Sequence, residues 1–114
     1  MVDDHPIRAR GLVELVRIWG HEARLASSPE SALAQSRDAP PDLGVVDLGM
    51  RSGGAWELPE RLRRALPERP LTLIAVGGPG PERSPARAAA AGFDLCLPKP
   101  VRLDTLRRLI EQGA

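Results

Sequence analysis

The chain has 114 residues, 42% of them apolar, and a formal net charge of +1 at pH 7, which suits one domain with an apolar core and lacks the basic excess that draws nucleic acid. The charged opening Met1-Val2-Asp3-Asp4-His5 has no leader-like apolar run, and no stretch approaches the ~18 apolar residues of a membrane span; a cytoplasmic location is the expectation. One cysteine, Cys96, excludes an internal disulfide and leaves no Cys/His spacing for zinc.

In chain order, Met1-Val2 is the stub of a first strand that stops at Asp3-Asp4. Pro6 suits a first helical turn, and Leu12, Val13, Val16 and Trp19 then repeat at helical spacing until Gly20. His21 to Ala26 reads as a short second strand. Ser28-Pro29 is a cap followed by proline at the first helical position, opening a helix over Pro29 to Ser36 that the Ala39-Pro40-Pro41-Asp42 cluster breaks. Leu43 to Asp47 is an apolar strand ending on an acid, followed by the Gly49 to Gly54 loop. The next helix has Leu58, Leu62 and Leu66 on one face and Pro59 in its first turn. Leu71 to Val76 is a fourth strand leading into Gly77-Gly78-Pro79-Gly80-Pro81. Ser84-Pro85 repeats the cap, and an alanine-rich helix runs to Gly92. Leu95 to Leu97 is the fifth strand, and Leu103, Leu106 and Ile110 mark a final helix with Arg107 and Arg108 on its wet side.

Strand and helix alternate five times, which implies a parallel sheet with right-handed crossovers and helices on both faces. In such α/β sheets the functional crevice lies at the carboxyl ends of the strands. Asp47 sits at one such end, and Asp3-Asp4 and the Leu97-Pro98-Lys99-Pro100 stretch are due at the same edge. Lys99 stands out because the other fifteen of the sixteen basic residues are arginine, and a compact ammonium fits an anionic pocket that a planar guanidinium does not. Asp3 and Asp4 read equally well as solvated residues of a frayed terminus. His5 reads as a helix-start residue, Trp19 and Trp56 as packing residues, and Cys96 as part of the core.

The acidic pair Asp3-Asp4 followed by His5-Pro6, the strand-end Asp47 with Leu48-Gly49, and Lys99-Pro100 behind the Ala91-Gly92-Phe93-Asp94 turn together resemble the receiver domain of bacterial two-component response regulators over essentially the whole chain. The resemblance implies a single domain over residues 1–114 with a doubly wound, flavodoxin-like five-stranded parallel sheet, order 2-1-3-4-5, its first strand truncated. It implies Mg²⁺ bound by Asp4 and Asp47, by Asp3 through water and by the Gly49 carbonyl. Three carboxylates at adjacent strand ends repel unless a cation sits among them, and a hard oxygen-seeking dication suits that need. Asp47 is then the phosphoacceptor, taking a phosphoryl group from a phosphohistidine of a histidine kinase or histidine phosphotransfer domain, with Lys99, Gly77 and Gly78 around the phosphoryl oxygens. A cis Lys99-Pro100 bond with the ammonium near Asp47 belongs to the same expectation. So does a signalling domain, not an enzyme, that touches neither membrane nor nucleic acid and can form a homodimer through its last two helices.

The departures are specific. Gly77 stands where receivers carry Thr or Ser, Cys96 where they carry Tyr or Phe, and Arg51 where a proline is frequent. The side chains that usually relay phosphorylation to the surface are therefore absent, and a pseudo-receiver that binds partners without being phosphorylated remains the alternative. A cobalamin-binding domain would need a glycine where Arg8 stands. A hydrolase of this fold would need a second acid two residues after Asp47, where Gly49 stands.

Overall fold

The computed structural model describes residues 1–51, 53–77 and 85–113. The proline and cap signals act as the sequence suggests. His5 Nδ1 accepts the Arg8 N–H at 3.2 Å, opening α1 (Pro6–Ile18), and Ser28 Oγ accepts the Ser31 N–H at 3.1 Å, opening α2 (Pro29–Asp38). Each side chain satisfies a donor that a helix start leaves without an intrahelical partner. Gly20, at φ +96°, follows the end of α1 in a left-handed conformation that glycine tolerates without a Cβ penalty. Next come β1 (Leu43–Asp47), α3 (Leu58–Ala65), β2 (Thr72–Gly77), α4 (Pro85–Ala91), β3 (Leu95–Pro98) and α5 (Leu103–Gly113). Pro59 does sit in the first turn of α3, whereas Leu66 caps that helix from outside. The Ser84 cap expected ahead of α4 lies outside the described residues.

The three strands are parallel in the order β1-β2-β3, with Val45 opposite Ile74 and Ala75 opposite Cys96. Beyond β1 the sheet continues as single parallel bridges, Val2 to Val46 and Val2 to Ala26. The spatial order is therefore the expected 2-1-3-4-5, but the first two strands are corrected to one bridged residue each. Val2 alone bridges to both sides, and among the described residues only Ala26 of the stretch from His21 to Ala26 finds a bridge partner. The Met1 ammonium bonds the Arg24 carbonyl at 3.0 Å, and burial pulls its pKa down to about 6. Beside this stub lies a cavity of about 460 Å³ lined by Met1, Val16, Leu43, Leu73, Leu106 and Ile110 among others.

Strand periodicity sends alternate residues to opposite faces. Val46, Leu73 and Ala75 pack with Leu33 of α2, Leu58 and Leu62 of α3 and Ala88 of α4. Val45, Ile74 and Val76 pack with Leu106 and Ile110 of α5, and Leu12 and Val16 of α1 and Trp19 at its C-terminal end rest against them. Two helices thus cover one face and three the other, as in a doubly wound sheet. Leu73 leans over Gly44, where a Cβ would stand 2.9 Å from Leu73 Cδ2 and would push that side chain aside. Trp56 meets Phe93 edge to face at 6.5 Å, and both tryptophans are packing residues. Cys96 is half-buried against the three-helix face, where burial raises its thiol pKa. Arg107 and Arg108 are exposed as expected; Leu103, expected on the apolar side of α5, is half exposed.

Candidate functional site

The strand ends that the sequence singles out meet. Val2 pairs with Val46, and this register sets Asp3 beside Asp47. The Asp47 N–H donates to the Val2 carbonyl at 2.9 Å and the Asp3 N–H to the Ala26 carbonyl at 3.0 Å, so both acids are pinned by backbone. Both are buried, at 1% and 2% exposure. At the other side, Gly77 pairs with Pro98 and the Lys99 N–H donates to the Gly77 carbonyl at 3.0 Å. The Lys99-Pro100 bond is cis, and Lys99 Nζ lies 2.7 Å from Asp47 Oδ1. The Gly49 N–H donates to the same oxygen at 2.9 Å.

One participant was not foreseen. Arg8, in the first turn of α1, reaches over the acids: Nη2 lies 3.0 Å from Asp47 Oδ2, and Nε and Nη2 lie 3.3 Å from Asp3. A signal existed, because a cation in a first helical turn is disfavoured by the helix dipole, and this turn holds no acid. An arginine there, five residues after Asp3, invites the question of what anion holds it. Both oxygens of Asp47 therefore face a cation, Oδ1 facing Lys99 and Oδ2 facing Arg8. Burial raises the Asp47 pKa, but Lys99 and the Gly49 N–H outweigh it and hold the carboxyl below its ordinary value. Asp3 behaves oppositely. Burial comes first, the Asp47 charge adds to it, and its pKa rises although the His5 N–H and Arg8 oppose the change.

Asp4 is half-buried and its Oδ2 accepts the Arg51 N–H at 2.7 Å, which ties the loop after β1 to the acidic pair. The residue that departs from the resemblance at position 51 thus supplies a donor that proline lacks. His5 is a helix cap, as expected. Gly78 lies outside the described residues.

The expected Mg²⁺ can be tested against these donors. Buried carboxylates are the right chemical type for a hard cation. Among the described residues, however, no three His, Cys, Asp or Glu side chains come together to hold a metal ion, and Arg8 already bridges the two buried acids. A hard dication needs only one or two carboxylates, so it is the Arg8 bridge across Asp3 and Asp47 that keeps the residues, as placed, from fitting the metal.

With this geometry in view, the chain belongs to the response regulator receiver domain family, which matches residues 1–111. It is similar to the sensor histidine kinase RcsC of Salmonella typhimurium, 28% identical over 110 residues, covering 96% of this chain and 11% of that protein. It is also similar to the methanol utilization control regulatory protein MoxX of Paracoccus denitrificans, 37% identical over 101 residues, covering 80% of this chain and 40% of that one. In three dimensions it resembles the receiver domain of NtrX from Brucella abortus, with a TM-score of 0.83 at 28% identity, covering 98% of this chain and 93% of that one. The chain thus spans a minor part of the two sequence relatives and nearly all of the isolated receiver. Among the described residues no helix is long and apolar enough to cross a membrane.

Proposed function

We propose that Asp47 is the phosphoacceptor of a two-component phosphorelay, taking its phosphoryl group from a phosphohistidine of a histidine kinase or histidine phosphotransfer domain. The observation that supports this most is the buried Asp47 carboxylate at a strand end, kept ionised beside Lys99 at 2.7 Å. An ionised carboxylate is the form that attacks phosphorus. In the transfer, an Asp47 oxygen forms the new O–P bond as the N–P bond of the phosphohistidine breaks, and the imidazole nitrogen keeps the electron pair. Catalysis of such a transfer is mostly positioning and charge neutralisation. Lys99 would turn from Asp47 to a phosphoryl oxygen, and Gly77 would offer backbone in place of the missing hydroxyl. These would be motions of the chain's own cations, with Asp3 beside Asp47 holding Arg8 in place.

In this reading residues 1–114 act as one cytoplasmic receiver domain, signalling by being modified, with α4 and α5 as a dimer surface and no contact with nucleic acid or membrane. A second reading, the unphosphorylated pseudo-receiver, is favoured by one observation: Arg8 covers the Asp47 oxygen that Lys99 leaves open. Intact mass after incubation with acetyl phosphate and Mg²⁺ separates the two. A single added phosphoryl group on wild type, absent from Asp47→Asn, supports the acceptor; an unmodified wild type supports the pseudo-receiver.

A further inference from the structure

Arg8 and Lys99 share the acid cluster with Asp3 and Asp47, and the four formal charges cancel. The two cations are held differently. Lys99 is fixed by backbone beside Gly77 and is 27% exposed, whereas the Arg8 side chain comes in from the solvent side of α1 and is 49% exposed. Among the described residues, its side-chain hydrogen bonds all go to carboxylate oxygens of Asp3 and Asp47. A planar guanidinium suits two adjacent carboxylates. A group whose acceptors are all anions can be replaced by any other cation that satisfies them. Its position in the first turn of a helix adds a dipole penalty that only those anions offset.

We propose that Arg8 is a tethered cation standing in the place a divalent metal would take, so that Mg²⁺ and the Arg8 guanidinium exclude one another at Asp47 Oδ2. The inference rests on reading Asp3 and Asp47 as the acids of a phosphoacceptor site. It accounts for two buried acids lying side by side without a third converging acid. A dication bound at Asp47 would meet the guanidinium as a like charge, and the two cannot both hold one oxygen. The metal-free domain is therefore closed and charge-matched. Opening it requires Arg8 to swing outward, which its half-exposed side chain permits without disturbing the core. The domain then binds Mg²⁺ weakly, and its acid cluster is held together in metal-free conditions by arginine.

The test is a calorimetric titration of the whole chain with MgCl₂, comparing wild type, Arg8→Gln and Arg8→Lys, with thermal melts of each in EDTA and in saturating Mg²⁺. Arg8→Gln should bind Mg²⁺ about tenfold or more tightly than wild type, since a neighbouring like charge has been removed. Arg8→Lys, which keeps the charge and loses the fork, should fall between. Arg8→Gln should also melt below wild type in EDTA, with the gap closing in Mg²⁺. Equal affinity of wild type and Arg8→Gln, or no binding by either, overturns the proposal. If Arg8→Gln fails to fold, the Arg8 Nε–H signal of wild type decides: it must lose protection from exchange as Mg²⁺ saturates, and retained protection at saturation overturns the proposal. Acetyl phosphate labelling is read separately. An unlabelled Asp47 with the metal competition intact defeats the acceptor reading alone, and a labelled Asp47 without competition defeats this one alone.

Discussion

Two arginines at opposite ends of the sheet are nearly equally exposed, 49% for Arg8 and 41% for Arg63, yet they answer different needs. Arg63 of α3 donates to the Leu71 carbonyl at 3.0 Å, the Gly92 carbonyl at 3.0 Å and Asp94 Oδ2 at 3.1 Å. Asp94 in turn accepts the Leu73 N–H at 2.7 Å, so one side chain ties α3 to the start of β2 and the turn before β3. Backbone carbonyls at a strand entry are fixed in number and direction, and no solvent ion replaces the fork that reaches them. Arg8 reaches acids only. The comparison teaches that a half-exposed arginine is a clamp when its acceptors are backbone, and an exchangeable counter-ion when they are carboxylates.

The largest effect should come from breaking the clamp. Arg63→Ala should lower unfolding stability by about 2–3 kcal/mol, because partly buried carbonyls and a carboxylate lose a charged donor together. Arg63→Lys should recover less than half of it, since one ammonium cannot reach three acceptors. Denaturant melts in EDTA check both. The same melts on Arg8→Gln should lose less, about 1 kcal/mol, because the half-exposed guanidinium is partly screened by solvent and Lys99 still holds Asp47. Equal losses at the two arginines would dissolve the distinction.

Within the acid cluster the two buried carboxylates should respond to pH with opposite signs. Asp3 has a raised pKa, so its contribution favours the fold below the unfolded value and is lost as pH rises through the folded one. Its charge is therefore a net cost at pH 7. Asp3→Asn should melt higher than wild type there in EDTA, with the gain shrinking as pH falls toward the ordinary carboxylate value of about 4. Asp47 has a lowered pKa, so its contribution is present above the unfolded value and lost as pH falls through the folded one. Asp47→Asn should accordingly lose stability at pH 7 and lose less in acid. Like-signed responses would mean that Lys99 does not hold Asp47 as the structure has it.

The smallest effect concerns the surface. A ligand shifts a two-state domain only by its differential contacts with the two states, and Gly77 and Cys96 offer neither a hydroxyl to pull nor a ring to turn. Amide shifts on binding a beryllofluoride mimic should stay near Asp3, Asp47, Gly77 and Lys99. Large concerted shifts through α4 and α5 would show that another relay exists. Confined shifts would suit a phosphate sink or intermediate carrier better than a strong output switch.

The sequence alone was enough for the alternation of elements, the helix starts at His5 and Ser28, the stop at Gly20 and the placing of Asp47 and Lys99 at one edge of the sheet, and the resemblance added their direct contact. Those features rest on local rules, since caps, prolines and apolar runs act within a few residues and strand ends of a parallel sheet share one edge. Only the tertiary structure decided how much sheet the first two strands form, because pairing requires a partner as long as the strand. It also decided that Arg51, a departure from the family pattern, donates to Asp4 through its backbone, which no side-chain pattern reports. Above all it decided the charge state of the site. The acids were legible as a repelling group in need of a cation, but Arg8 lies on a helix whose rotation is set by Leu12, Val16 and Trp19 packing on the sheet. That rotation turns an ordinary first-turn arginine into the counter-ion of Asp3 and Asp47.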